Sequence, residues 1–410
     1  MNVKLKNSFK MTELGLIPND WEVKCLGDVT ELNMGKTPSR SVKTFWGKGH
    51  SWLSIADLKE KFIFETKEEI TELGAFKMQI IPKGTLVMSF KLSIGKLAFV
   101  GNDMYSNEAI CNFQKPRVCS DYLYYILSRT DFSQYGKQAV KGYTLNTASL
   151  KSIQISIPPL PEQKAIAGVL SDVDELIAAL DKLITKKQNI KQAAMQNLLT
   201  GKIRLPGYGG TWELLKMSQD ATINARIGWQ GLTTSEYLSQ GEYYLVTGTD
   251  FQFGKINWST ANFVAKERYL QDIKIQLSVG DVLLTKDGSI GKVAYIGALL
   301  LPATLNSGVF VIRPKTGKYE PLFFYHIMNS LIFKEFLTKL SAGSTISHLY
   351  QKDFQTFQFL SPPLPEQKAI AEVLSDMDNE IMALQKRRDK IKLVKKGLMQ
   401  ELLTGRIRLV

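Results

Sequence analysis

At 410 residues the chain is too long for one ordinary domain, and 44% hydrophobic with 22% charged residues excludes a disordered or fibrous protein. No apolar run approaches the roughly 18 residues of a spanning helix, and the opening MNVKLKNSFKMTELG lacks the apolar stretch of a secretory signal. Cys25, Cys111 and Cys119 are odd in number and form no CxxC pair, which argues against a disulfide frame or zinc site and fits reduced thiols in a cytoplasm. A net charge of +13, with a basic excess in every segment, points to a polyanionic partner such as nucleic acid.

The first block opens with IPNDWEVKCLGDV, Ile17 to Val29, which predicts a strand or short helix anchored by Trp21. A loop of small and basic residues follows, Gly35 to Arg40, and then a short strand around Trp52–Ile55 that leads to Asp57. GTLVMSFKLSIGKLAFVG, Gly84 to Gly101, predicts strand, glycine-containing turn and strand, with Lys91 and Lys96 at the tip. Asn107 precedes another strand, a helix spans about Ser120 to Tyr135, and a glycine loop at Lys141–Thr144 leads to a last strand.

PPLPEQKAIAGVLSDVDELIAALDKLITKKQNIKQAAMQNLLTGKIRL, Pro158 to Leu205, reads as one long helix. Pro161 suits the first turn, Glu162 the positive helix end, and Gly201 a C-terminal cap. Its apolar residues step by three and four through Ile166, Val169/Leu170, Val173, Leu176/Ile177, Leu180, Leu183/Ile184, Ile190, Ala194 and Leu198. A mean spacing of about 3.5 is a coiled-coil seam, and roughly 38 residues make a rod of about 57 Å.

The second block opens at GYGGTWELLKM, placing Trp212 where the first block has Trp21, though without its proline–acid turn. Its glycine-rich loop is Arg226 to Gly231, and its short strand at Tyr243–Thr247 leads to Asp250. GDVLLTKDGSIGKVAYIG, Gly280 to Gly297, aligns without a gap on the first block's hairpin and carries Lys286, Asp287 and Lys292 at its tip. Gly95, Gly288 and Gly291 are expected to serve turn geometry. Asn306, a helix from Glu320 to Leu340 and the loop Ala342–Thr345 complete the parallel.

PPLPEQKAIAEVLSDMDNEIMALQKRRDKIKLVKKGLMQELLTGRIRL, Pro362 to Leu409, then repeats the first long helix 204 residues on, with about thirty of the 48 paired positions identical. Its seam runs through Ile370, Val373/Leu374, Met377, Ile381, Leu384, Ile391, Val394, Leu398 and Leu402. The core seam residues are therefore Ile166, Leu170, Val173, Ile177, Leu180 and Ile184 against Ile370, Leu374, Met377, Ile381, Leu384 and Ile391. Arg387 and Arg388 replace Leu183 and Ile184, which predicts a looser or wetter middle. The competing arrangement is two amphipathic helices, each lying on its own block.

No catalytic constellation stands out. His50, His326 and His348 lack metal-ligand spacing, Gly35-Lys36-Thr37 lacks the earlier glycine of a phosphate loop, and there is no GxSxG elbow. The only Pro-Pro pairs open the long helices, so no amino-methyltransferase motif is present. His326, on an apolar helix face, reads as a core residue. These features describe a binding protein.

Two copies of PPLPEQKAIA…LLTG[KR]IRL alternating with divergent blocks make the chain resemble the specificity subunit of a Type I restriction–modification system over essentially its whole length, with GKTPS and KDGSIGK as supporting matches. The resemblance implies an α+β fold. Two strand-rich target recognition domains, 1–157 and 206–361, would stand in a pseudo-two-fold arrangement, separated by antiparallel coiled-coil helices, 158–205 and 362–410. Each domain would read one half of an asymmetric bipartite site on double-stranded DNA, while the helices set the spacer and dock two modification subunits. Restriction subunits would join through the complex, and S-adenosylmethionine, ATP and magnesium would be bound in partner subunits, none by this chain. The groups able to reach phosphates and base edges are Lys36, Thr37, Ser39, Arg40, Lys91, Lys96, Lys141, Tyr143 and Asn146 in the first domain. In the second they are Arg226, Trp229, Gln230, Lys286, Asp287, Lys292, Ser344, Thr345 and His348. Two other readings stay open: a self-sufficient DNA-binding or decoy protein on the same scaffold, and a coiled-coil scaffold whose blocks bind protein.

Overall fold

The structure, a computed structural model, describes residues 8–135, 137–139, 142–341 and 348–409. It divides into two compact units, residues 1–181 with 387–410, and residues 182–386. Each unit combines one block with parts of both long helices, which run as single 39-residue elements, Leu160–Leu198 and Leu364–Leu402. Among the described residues no helix is long and apolar enough to cross a membrane.

In the first unit, strand Glu22–Cys25 pairs antiparallel with Gln154–Ile157, so the block's two ends meet just before the long helix begins. The main sheet has the order Glu31–Met34, Ile110–Gln114, Leu86–Ser89, Leu97–Val100 and Phe62–Ile63, antiparallel except for its last pair. A second sheet places Trp46–Leu53 between Tyr105–Ser106 and Glu68–Ile70. The second unit repeats this plan. Glu213–Lys216 pairs with Gln358–Ser361, and the main sheet runs Ala221–Asn224, Val309–Pro314, Val282–Thr285, Val293–Tyr295. Tyr244–Val246 lies between Asn262–Phe263 and Ala303–Leu305. Asp57 and Asp250, which close the short strands, accept the backbone N–H and hydroxyl of Ser54 and Thr247, fixing the same tight turn in both blocks.

The two helical predictions inside the blocks need correction. The first helix ends at Arg129, where the Thr130 hydroxyl turns back to Ile126 O. The second is two helices, Pro321–Met328 and Leu331–Ser341, because the Ser330 hydroxyl donates to Ile327 O at 2.6 Å and accepts the Ile332 N–H, ending one helix and starting the next.

The long helices run antiparallel within each unit, joined by ion pairs that the repeat duplicates. Lys395–Asp174 (2.6 Å) in the first unit is matched by Lys191–Asp378 (2.5 Å) in the second. All twelve core seam residues are buried or half-buried. Leu176, Leu183, Ile190 and Val394, included in the apolar steps, face outward instead, because a two-helix seam covers only a narrow stripe. Arg388 meets Asp181 at 3.1 Å, so the middle of the pair is ionic where the repeat departs from its apolar pattern.

Seam and block-packing arrangements coexist. Ile166, Ala167 and Leu170, from the start of the first helix, join the first block's core together with Leu402 and Leu403 from the end of the second. Met195, Leu198 and Leu199 join the second block's core together with Ile370, Ala371 and Leu374. Gly201 and Gly405 adopt left-handed φ of 71° and 68° after the helix ends, as a C-terminal cap requires.

The PEQ and IR segments of the repeat lock these ends. Glu162, 1% exposed, accepts the Trp21 indole N–H at 3.0 Å and the Arg408 guanidinium at 2.6 Å. Arg408 also forks onto Asp20, and its pKa is raised chiefly by the hydrogen bond to Glu162. Glu366 takes Arg204 in the same way. Gln163 accepts the N–H of Cys119, the N-cap of helix Ser120–Arg129, and Gln367 accepts that of Glu320, the N-cap of Pro321–Met328. Each side-chain amide also donates to the carbonyl of the first proline of its motif, Pro158 or Pro362.

Candidate nucleic-acid interface

In the first unit the Gly35–Arg40 loop leaves the edge strand of the main sheet and packs against Ser106–Glu108. Lys36 N–H donates to Ser106 O at 2.8 Å, and Lys36 O accepts the Trp52 indole. A Cβ on Gly35 would sit 2.2 Å from Ser106 O, so this approach needs glycine. The Thr37 hydroxyl bonds the Glu108 carboxylate, and this bond is the main reason the Glu108 pKa is lowered; burial opposes it, and the positive charges of Lys91 and Arg40 add to it. The loop and the hairpin tip therefore converge on Glu108. Arg40 lies 3.7 Å over the Trp46 ring and forks onto Glu68, leaving its exposed guanidinium held on an aromatic platform. Lys36, Ser39 and Lys96 are exposed, and Lys91 is half-exposed.

In the second unit the hairpin tip borders an open cleft of about 520 Å³, lined among others by Tyr237, Thr249, Asn262, Asp287, Ser289 and Lys292. Asp287 pairs with His348, and Lys286 reaches the same carboxylate at 3.2 Å. The cleft thus offers amide, hydroxyl, carboxylate and ammonium groups side by side, the repertoire that distinguishes base edges and holds phosphates.

Four predicted contacts are corrected. Arg226 is 3% exposed, with its guanidinium on Leu305 O (2.8 Å) and the Thr304 hydroxyl (3.2 Å); it braces the fold, and burial lowers its pKa. Gln230 is buried and does not present its amide at the surface. Asn146 caps helix Thr147–Lys151, accepting the Ser149 N–H at 2.7 Å. Lys286 keeps only 12% of its side chain exposed, so it supports Asp287 more than it faces solvent. Lys141, Ser344 and Thr345 lie outside the described residues, as do the side chains of Tyr143 and Trp229. Glu108 escaped the sequence reading, because its place in the cluster depends on a loop 71 residues away. Gly95, Gly288 and Gly291 hold φ of 85°, 65° and 87°, the turn geometry expected of them.

Comparison with known families decides the assignment. A model of the Type I restriction modification DNA specificity domain matches residues 18–192 and 234–393. This chain belongs to that family. Like the family's other members it is a DNA-recognition subunit, and each matched segment covers most of one block and most of the long helix that follows it. It is similar to the MjaVIII specificity subunit of a type I restriction enzyme of Methanocaldococcus jannaschii, 28% identical over 96% of this chain and 94% of that protein. Its fold is similar to the crystal structure of the specificity subunit from M. genitalium, with a TM-score of 0.62, 14% identity and 98% of each chain covered. A structure concerned with complex assembly and conformational transition of a type I system covers 95% of this chain and 99% of its own, with a TM-score of 0.58 and 16% identity.

Proposed function

We propose that each block reads one half of an asymmetric bipartite DNA site, and that the long-helix pair fixes the unread spacer and docks two modification subunits. Methyl transfer with S-adenosylmethionine, and ATP- and magnesium-dependent restriction, belong on this reading to partner subunits in the cytoplasm, and this chain contributes no catalytic group. The observation that carries the proposal is that two blocks of one plan, fastened to a duplicated helix by the same Glu–Arg clamp, carry different side chains at equivalent tips. Two equivalent readers match two DNA half-sites, and different tips match different half-site sequences. Lys36, Thr37, Ser39, Arg40, Lys91 and Lys96 serve the first half-site, and Asp287, Lys292 and His348 the second.

The test is methylome sequencing of cells that co-express this chain with a modification subunit. A new asymmetric bipartite motif is expected, and exchanging residues 1–157 for another recognition block should change one half only. A change in both halves would overturn modular reading. Co-purification with no new motif would point to a decoy, and failure to co-purify to a protein-binding scaffold.

A further inference from the structure

The two hairpin tips share one backbone and differ in what they expose. In the first block the Ser89 hydroxyl donates to Ser93 O, and the N–H groups of Lys96 and Gly95 return to Ser89 Oγ and O. In the second, the Thr285 hydroxyl donates to Ser289 O (2.6 Å), and the N–H groups of Lys292 and Gly291 return to Thr285 Oγ1 and O. Leu145 N–H on Phe90 O and Leu349 N–H on Lys286 O tie the base of each tip to the same neighbouring segment. On this frame Leu92 and Gly288 occupy the same position, with φ of 64° and 65°.

Glycine is the natural occupant of that conformation, and leucine is strained in it. Leu92 is also 66% exposed, so its side chain gains nothing from the core. Neither folding nor solvation favours leucine there. The residue before it reverses charge between the blocks, Lys91 against Asp287.

We propose that Lys91-Leu92 and Asp287-Gly288 are the specificity-determining tips of the two readers: Leu92 packs on the 5-methyl group of a thymine beside a guanine held by Lys91, and Asp287 accepts the 4-amino group of a cytosine. The proposal rests on the DNA-reading assignment above. Each pairing is the one that major-groove chemistry supplies: apolar contact for the thymine methyl, a cation for guanine O6 and N7, a carboxylate for the cytosine amino group. Gly288 adds no side chain beside the Asp287 carboxylate, which stays 40% exposed at the tip. His348 and Lys286 hold that carboxylate in place.

The experiment uses the full chain with its modification subunits and the motif from the methylome. Binding is measured on duplexes in which each thymine of the first block's half-site is replaced in turn by deoxyuridine, which removes only the methyl group. One position is expected to weaken wild-type binding by about fivefold to tenfold. Leu92→Gly, which adopts the backbone of the sister tip, should bind both duplexes alike and accept other bases at that position, with the second half-site unchanged. Asp287→Asn should shift one position of the second half-site from cytosine towards adenine. Wild-type indifference to every deoxyuridine, or an unaltered motif in both variants, would overturn the proposal while leaving DNA reading intact. The absence of any motif would overturn the DNA-reading assignment, and this inference with it.

Discussion

The two blocks reach the same fold by different local means, and the differences fall at the tips and at the first-turn anchors. Gly35 and Arg226 hold equivalent places in the register beside the main sheet. The first admits no Cβ against Ser106, whereas the second reaches Leu305 O with a guanidinium. At the anchors, Trp21 is fully buried with its N–H on Glu162, and Arg408 meets both Asp20 and Glu162. Trp212 stays partly exposed, its N–H has no partner among the described residues, and Arg204 meets Glu366 and Gly210 O. Duplication preserves the frame while the anchoring chemistry drifts, which teaches that the sheet and the helix clamp, more than any one anchor, define the block.

The clamp comparison gives the largest expected effect. Glu162→Ala removes the buried partner of Arg408 and Trp21 and should destabilise the first unit by about 3–5 kcal/mol. Glu366→Ala, with one fewer partner on its carboxylate, should cost the second unit less. Urea unfolding followed by limited proteolysis of each block checks the order; equal losses would refute it. Next comes Arg226→Ala, expected to destabilise the second unit by about 2–4 kcal/mol, since it takes the guanidinium from Leu305 O and leaves the Thr304 hydroxyl only its long bond to Ile275 O in the interior. Its methylated motif should stay as in wild type, because Arg226 is a brace; a changed second half-site would restore it to the reading surface.

The smallest effect compares one helix position across the blocks, His326 in the second and Tyr125 in the first. Burial, chiefly, holds His326 at a pKa of about 3, with its Nε2 beside the Ser375 hydroxyl. Its folded value lies below its unfolded one. The stability tied to the neutral ring is therefore complete above about pH 6.5 and is lost as pH falls towards 3, by at most about 1.4 kcal/mol per pH unit. Between pH 6.5 and 5 the second unit should lose about 2 kcal/mol more than a His326→Gln variant does. Parallel pH profiles of the two proteins would remove the histidine from that account.

Periodicity made the long helices legible, because the seam, Pro161 and Gly201 all act within a few residues of themselves. The hairpins were legible for the same reason, with glycines at positive φ marking their turns. What escaped was long-range. Arg226 looks like a loop cation until Leu305, 79 residues on, turns out to accept its N–H. Asn146 looks like a base reader until the short helix behind it forms. Glu108 has no local signature at all. Repetition rescued part of this, since a shared frame exposes the unshared residues as candidates.

The exchange of helix ends also bears on the order in which the molecule can be completed during synthesis. The first block's core includes Leu402 and Leu403, and its anchor closes only when Arg408 reaches Asp20, 388 residues back. The second block's corresponding core reaches only as far along the second long helix as Met377. On a ribosome, then, the block made first is finished last. It must wait, with the start of its helix uncovered, until the whole second block has emerged.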